Sequence, residues 1–341
     1  PATGASTKSP VSVSFNLPEA GLAGSVVVTF DDGITQRPLI LASSQASAGS
    51  HGFSFNPASP TTSSGGAIIS GSALPDGLYS VRLSYQDSLG NAAAGVVSSN
   101  VLIDTVTQPP TLTAPAAGTG TKSPINVTFA LPESALAGSA KLNFSGTATR
   151  TLTLVTSMGT SGSHNFSFDP ANVLASGVFA SFSGGYDVPD GVYTVALSYQ
   201  DALGNVSSSA SSSSVRIDTT APSFSMPSSL VVEATSPSGA VATYTASAGD
   251  AGSGVASSVF IPSSGSTFAI GTSTVSASAV DNVGNQAGGS FQVTVRDTTA
   301  PVIQPHANVV AEATSVGGAV VSYAPATASD AVGVSTLSYS Q

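Results

Sequence analysis

Acidic residues recur at three kinds of place in this chain, and their spacing is the one pattern that points to chemistry. Asp104, Asp218 and Asp297 each close a β-type run, in IDT, IDT and RDT. Asp201 and Asp281 open the motif Asp-x-x-Gly-Asn, of which Asp87 begins a third copy. Glu133, Asp250 and Asp330 fall in an earlier loop, and Glu19 holds the same position as Glu133 in a preceding repeat. Carboxylates drawn to one place repel by roughly 4 kcal/mol per pair at close range and intermediate dielectric. A hard divalent cation removes that cost. Ca²⁺ takes about six to eight oxygens from carboxylates, carbonyls and water in a flexible geometry. The Gly and Asn of the motif let the backbone turn its carbonyls inward. The plain alternative is a good hairpin turn and a linker, neither of which needs a metal.

Catalytic constellations are missing from the sequence. His51 and His164 are one position in two repeats, just before Phe-Ser-Phe, and read as strand-edge side chains; His306 stands in a different context. There is no Cys, and no HExxH, P-loop or GxSxG motif. Serine is abundant, but a nucleophilic serine needs an oriented base. Asp76 and Asp190 precede glycine in paired turns, whereas a glycosidase needs two facing carboxyls. Lys8 and Lys122 share a repeat position, and the sequence forces no partner on them for a Lys–Asn cross-link. Asn126, Asn143, Asn165 and Asn205 lie in N-x-Ser/Thr sequons, which arise by chance in so Ser/Thr-rich a chain. The expectation is a protein that is not an enzyme.

The elements that must position the acids are β-strands. Charged residues are only 8% of the 341, against about a quarter in an average soluble protein. Apolar residues are 41%, enough for a core, and come in short alternating runs. VSVSF, VVVTF, YSVRLSY, INVTFAL, YTVALSY, VSASAV and FQVTV alternate or are β-branched, bounded by Gly, Pro, Asn and Asp turns. No apolar run approaches the roughly 20 residues of a membrane span. The net charge of −10, with eight Lys and Arg, disfavours nucleic acid and anionic membrane and favours cations.

Internal repetition organises the chain. TKSPVSVSFNLPEAGLAGS from Thr7 returns from Thr121, HGFSFNP from His51 returns as HNFSFDP, and PDGLYSVRLSYQDSLGN from Pro75 returns from Pro189. DTTAPSFSMPSSLVVEATSPSGAVATY from Asp218 returns as DTTAPVIQPHANVVAEATSVGGAVVSY from Asp297. Pro1 aligns with Pro115 and the last copy reaches about half a domain, so the chain reads as a window on a longer array. In PDGxY, Tyr79 and Tyr193 are expected to tie the turn down with their hydroxyls, as tyrosine-corner residues. Val81 and Val195 stand two residues on, where antibody domains carry Cys.

Residues 1–218, with GSHxFSF, PDGxYxVxLSYQDxLGN and IDTTAP, resemble bacterial Ig-like repeats of large surface proteins and adhesins. Residues 219–341, with DTTAP, VVEATSPSGAVATY, PSSGSTFAIGTSTV and AVDNVGN before FQVTVRD, resemble hyalin repeat (HYR) domains. The absence of Cys departs from the animal pattern and suits a prokaryotic version. The resemblance implies extracellular Ig-like modules associated with adhesion.

The expected fold is all-β: tandem Ig-like β-sandwich domains arranged as an elongated rod. The expected domains are 1–104 (Ig-like repeat 1, first strand missing), 105–218 (repeat 2), 219–297 (HYR-type) and 298–341 (partial HYR-type). Such sandwiches bring the linker, the penultimate loop and the earlier loop to one pole. The first junction should gather Asp104, Glu133 and Asp201, the second Asp218, Asp250 and Asp281, and the third retains Asp297 and Asp330, with calcium as the cofactor. The expected function is a non-catalytic stalk of a surface adhesin or fibre, extracellular or at the cell surface. Its partners are neighbouring repeats of a longer chain, with self-assembly into fibres as a further option. The alternatives are a module binding a glycan or cell-surface protein, and an accessory region of a secreted hydrolase. Neither nucleic acid nor membrane insertion is expected.

Overall fold

Alternation along each strand decides which side chains enter the core. In Val11–Leu17, Val11, Val13 and Leu17 are buried between exposed Ser12, Ser14 and Asn16; in Ile125–Leu131, Ile125, Val127, Phe129 and Leu131 turn inward. Side chains on a strand alternate between its faces, so such a pattern buries one face only. The computed structural model describes residues 1–338, and the helical segments among them are short 3₁₀ turns. The chain divides into two compact units. One holds Pro1–Thr119 with Pro124–Val215, and the other Gly120–Ser123 with Arg216 onward.

The first unit contains two sandwiches. The first is built from β1 (Ser6–Thr7), β2 (Val11–Leu17), β3 (Val27–Asp31), β4 (Gln36–Leu41), β5 (Gly49–Phe55), β6 (Ile68–Ser70), β7 (Gly77–Ser84) and β8 (Val96–Ile103). One sheet runs β1-β8-β7-β3-β4-β6 and the other pairs β2 with β5. The second sandwich adds an opening strand, β9 (Thr111–Ala114). After β10 (Gly120–Thr121) come β11 (Ile125–Leu131), β12 (Lys141–Gly146), β13 (Arg150–Leu154), β14 (Gly162–Phe168), β15 (Phe179–Ser183), β16 (Gly191–Ser198) and β17 (Ala210–Ile217). Its sheets are β17-β16-β12-β13-β15 and β14-β11-β9. The registers repeat: Phe15 faces His51 across β2 and β5, and Phe129 faces His164 across β11 and β14.

Both cores are aromatic and aliphatic. Phe30, Phe55 and Tyr79 meet edge to face in the first, and Phe144, Phe168 and Tyr193 in the second. Tyr79 and Tyr193 donate to the carbonyls of Pro75 and Pro189 at 2.7 and 2.8 Å, the tyrosine-corner bonds anticipated for PDGxY. Buried Val81 and Val195 stand where a disulfide would otherwise sit.

In the second unit β18 (Ser223–Ser225), β19 (Ser229–Glu233), β20 (Ala240–Val241), β21 (Ser247–Gly249), β22 (Val255–Ile261), β23 (Thr267–Phe268), β24 (Gly271–Asp281) and β25 (Gln286–Arg296) form a smaller sandwich. Its main sheet is β19-β25-β24-β22, with β19 parallel to β25. Phe268, Phe291, Val275, Val293 and Val295 make the core, with alanines between them. β26 (Val302–Gln304) and β27 (Thr327–Ser329) pair beyond it.

Candidate cation sites

Two groups of three carboxylates come together, Asp104 with Glu133 and Asp201, and Asp218 with Asp250 and Asp281. In each group the ligand-type oxygens lie within 4.8 Å of one another. Asp218 is fully buried and Asp201 and Asp281 are 2% exposed, so their charges are not dispersed into water. The salt bridges found among the described residues, Arg37–Asp32 and Arg150–Asp187, involve neither group.

The Asp-x-x-Gly-Asn loop explains how one member is held. Asp201 Oδ1 accepts the amides of Leu203 and Asn205 at 2.8 and 2.9 Å, and its Oδ2 accepts Asn205 Nδ2 at 2.7 Å. Asp281 makes the same three bonds with Val283, Asn285 and Asn285 Nδ2. Asp87 makes them with Leu89 and Asn91. The aspartates thus serve the turn first.

The same Asn holds the incoming linker. Asn205 Nδ2 donates to the Asp104 carbonyl at 2.8 Å, and Asn285 Nδ2 to the Asp218 carbonyl at 2.9 Å. The buried Thr107 hydroxyl lies 2.8 Å from both Asp201 Oδ2 and the Asn205 carbonyl, sharing one proton between them. Glu133 accepts the Gln108 amide at 2.8 Å, and Tyr199 donates its hydroxyl to the Gln108 carbonyl at 2.8 Å. Around Asp218, Ser253 donates its amide at 2.6 Å, while Asp250 accepts the Gly254 amide at 2.8 Å. The Ser253 hydroxyl is buried and has no hydrogen-bond partner.

Titration behaviour follows from these surroundings. Burial, then the charges of Asp201, Asp76 and Glu133, push the Asp104 carboxyl up. Burial also acts to raise Asp201, but bonds from Thr107, Asn205 and the loop amides outweigh it and hold the group below its ordinary value. Asp281 is lowered by the corresponding balance. Burial and the Glu133 charge keep the Tyr199 phenol protonated.

Asp297 and Asp330 enter no such group among the described residues. Asp297 accepts the Thr299 amide, and Asp330 the amides of Val332 and Gly333. His51 and His164 stack on Phe15 and Phe129 and bond the carbonyls of Ser47 and Thr160, a repeated structural arrangement. The roles of Thr107, Tyr199 and the motif Asn were not singled out from sequence, although Asn91, Asn205 and Asn285 repeat there. Lys8 and Lys122 have the same legible signal: each Nζ donates to the Gly carbonyl of the loop, Gly204 at 3.3 Å and Gly284 at 2.6 Å.

Sheets packed face to face, repeated along the chain and joined by hydrogen-bonded linkers, define a tandem β-sandwich repeat protein. Within it, residues 217–295, the third sandwich, match the family model of the HYR domain. The chain is 28% identical over 355 aligned residues to hyalin of Strongylocentrotus purpuratus, covering 92% of this chain and 26% of hyalin. It thus spans about a quarter of that relative's length. Similar solved structures include a Ca²⁺-stabilized adhesin with which an Antarctic bacterium binds ice (15% identity, 86% of this chain, 71% of that one, TM-score 0.30). Another is a tetra-tandem repeat from the extending region of a large adhesion protein (19% identity, 86% and 73%, TM-score 0.25).

Proposed function

We propose that the chain is a non-catalytic shaft segment of an extracellular, adhesion-type repeat protein displayed at a cell surface, and that Ca²⁺ at its acidic clusters stiffens the linkers. The observation that carries this reading is the tie between Asp104 and Asn205, seconded by Thr107 on Asp201. The linker entering the second repeat is bonded along its length to that repeat's loops, as suits a segment that transmits force. The repeats, the HYR domain and the likeness to hyalin support an extracellular adhesion setting.

The donor chemistry suits a hard cation. Two oxygens on opposite sides of a Ca²⁺, each about 2.4 Å from it, lie about 4.8 Å apart, which is the limit of spread in both clusters. A carboxylate has about four lone-pair sites. Asp201 uses three for N–H donors and a fourth whenever Thr107 points at it, and Asp281 takes the same three with the Gly284 amide also lowering it. The second cluster also has the unpartnered Ser253 hydroxyl beside it. Asp218, Asp250 and Asp281 are therefore the stronger site. Asp297 and Asp330 are assigned as linker and turn residues.

Small-angle scattering with millimolar calcium and then with chelator tests the reading. Longer, stiffer particles with calcium support it, and identical profiles remove calcium from the account. A glycan-binding role has one observation in its favour: Tyr186, 67% exposed, packs 4.7 Å from the ring of Phe182 and offers an apolar face to a sugar ring. A glycan-array signal lost in Tyr186→Ala would establish it.

A further inference from the structure

The main sheet of the third sandwich stops where those of the two repeats continue. In the repeats, β3 and β12 follow the earlier acidic loop and pair on one side with β7 and β16, the strands that run into Asp-x-x-Gly-Asn. On their other side they pair with β4 and β13. β22 holds the same place in the third sandwich, paired with β24 ahead of the Asp281 loop. Among the described residues no strand pairs with its other side, and the sheet ends as β19-β25-β24-β22. Residues 262–266 carry the chain directly to β23, outside that sheet.

A free strand edge presents unpaired N–H and C=O groups, and natural edges are commonly blunted by charge or proline. The β22 sequence, VASSVFI, has neither. Phe260 packs toward the core against Phe224, while Val259 and Ile261 stand on the outer face, 48% and 65% exposed. Their neighbours across β24 are the small, uncharged Ser278 and Ser276. The chain carries a net charge of −10, so a second copy is repelled over much of its surface. Residues 251–280 carry no charged side chain, and there that repulsion is weakest. Two identical strands set antiparallel are also self-complementary about a two-fold axis, each offering the other the same row of donors and acceptors.

We propose that β22 is the contact through which two copies of this chain pair, antiparallel and edge to edge, joining two four-stranded sheets into one. The register that pairs all of residues 257–261 sets Val259 opposite Val259 of the second copy, Ser258 opposite Phe260 and Ser257 opposite Ile261. The two valines then shield each other from water on the outer face. The β12–β13 pair, with Leu142 opposite Leu152, shows that a strand in this place accepts an antiparallel neighbour. The contact involves no acidic cluster, so it stands whether or not calcium stiffens the linkers.

The chain has no Cys, so one introduced thiol reports one position. Facing Cα atoms of an antiparallel pair lie about 4.5–5.5 Å apart, within the span of a disulfide. With chelator present and oxidised glutathione as the oxidant, Val259→Cys should cross-link copies about tenfold or more faster than Val241→Cys, because pairing raises the effective concentration of the thiols. Val241 is the fair control, at 58% exposed in β20 of the same sandwich and outside its main sheet. In the Cys-free chain, the sedimentation mass should rise with concentration. Val259→Lys should remove that rise, since like charges directly opposite one another destabilise a strand pair. Equal cross-linking rates, the result expected if the edge is reserved for a strand of another protein, would overturn the proposal. A sedimentation mass that Val259→Lys leaves unchanged would overturn it as well.

Discussion

Asn205 Nδ2 is 2.8 Å from the carbonyl of Asp104 and 2.7 Å from the carboxylate of Asp201, so one amide group joins the linker to the loop that receives it. Asn285 repeats the arrangement with Asp218 and Asp281. An aspartate at either place would lose both donors and add a negative charge to an acidic cluster.

Replacing Asn205 with Ala should therefore cost about 1–3 kcal/mol, the sum of two partly buried hydrogen bonds at about 1 kcal/mol each and the desolvated acceptors left behind. Asn205→Asp should cost more. Asn91→Ala, whose side chain bonds its own loop alone, should cost less. Urea midpoints followed by tyrosine fluorescence would rank the three, and an Asn91 effect as large as that of Asn205 would refute the bridging role.

The unpartnered Ser253 hydroxyl beside Asp218 separates the two clusters. Asp281→Asn should abolish the larger calcium-binding heat in titration calorimetry, while Asp201→Asn should remove a weaker one. Affinity at the first cluster should also fall as pH falls. Burial and the neighbouring acids raise the Asp104 carboxyl, and a protonated carboxyl is no ligand. A first cluster that binds more tightly than the second would contradict that ranking.

Gly252 has a purpose that its loop setting conceals. A Cβ built there would lie 2.5 Å from the Asp218 carboxylate. Gly252→Ala should drive that carboxylate out of place, losing the Ser253 amide bond, and should destabilise the HYR domain by about 1–3 kcal/mol as a steric insertion. It should weaken calcium binding at Asp218 without removing any ligand. Thermal unfolding alongside calorimetry would show both effects, and an unchanged variant would mean that the loop yields freely.

The strand pattern, the repeats and the three-part acidic grouping could be read from residues because each depends on spacing alone. VSVSFNL and INVTFAL declare their inward faces, and the fixed offset between Asp104 and Asp218 places both at the same pole. Thr107 and Tyr199 could not be found that way. Thr107 has no counterpart at the second linker, where Ala221 stands, and Tyr199 looks from sequence like any core aromatic. Only the path of the linker over the fold brings Gln108 to Tyr199. Glu233 was hidden for the same reason, since its partners lie 65 and 66 residues along the chain.

Glu233 supplies the clearest pH dependence. At the end of β19 its carboxylate accepts four bonds, from the amides and hydroxyls of Thr298 and Thr299, at 2.7 to 3.0 Å. The Thr298 hydroxyl and amide, followed by the Thr299 hydroxyl, hold its pKa at about 2, against 4.5 for the free side chain. A carboxyl whose folded pKa lies below its unfolded one binds fewer protons when folded, so it stabilises the fold above the unfolded value. That contribution should be fully present above about pH 5, decline as pH falls from 4.5 towards 2, and be gone below. Glu233→Gln cannot titrate. The gap in melting temperature between the native chain and this variant should therefore be constant at neutral pH and close progressively through the acid window. Because the bonds fasten the Thr298–Thr299 linker to the HYR sandwich, exchange of those two amides should quicken over the same range. A gap that stays constant down to pH 2 would mean that the carboxylate is solvated by water and that something else holds the linker.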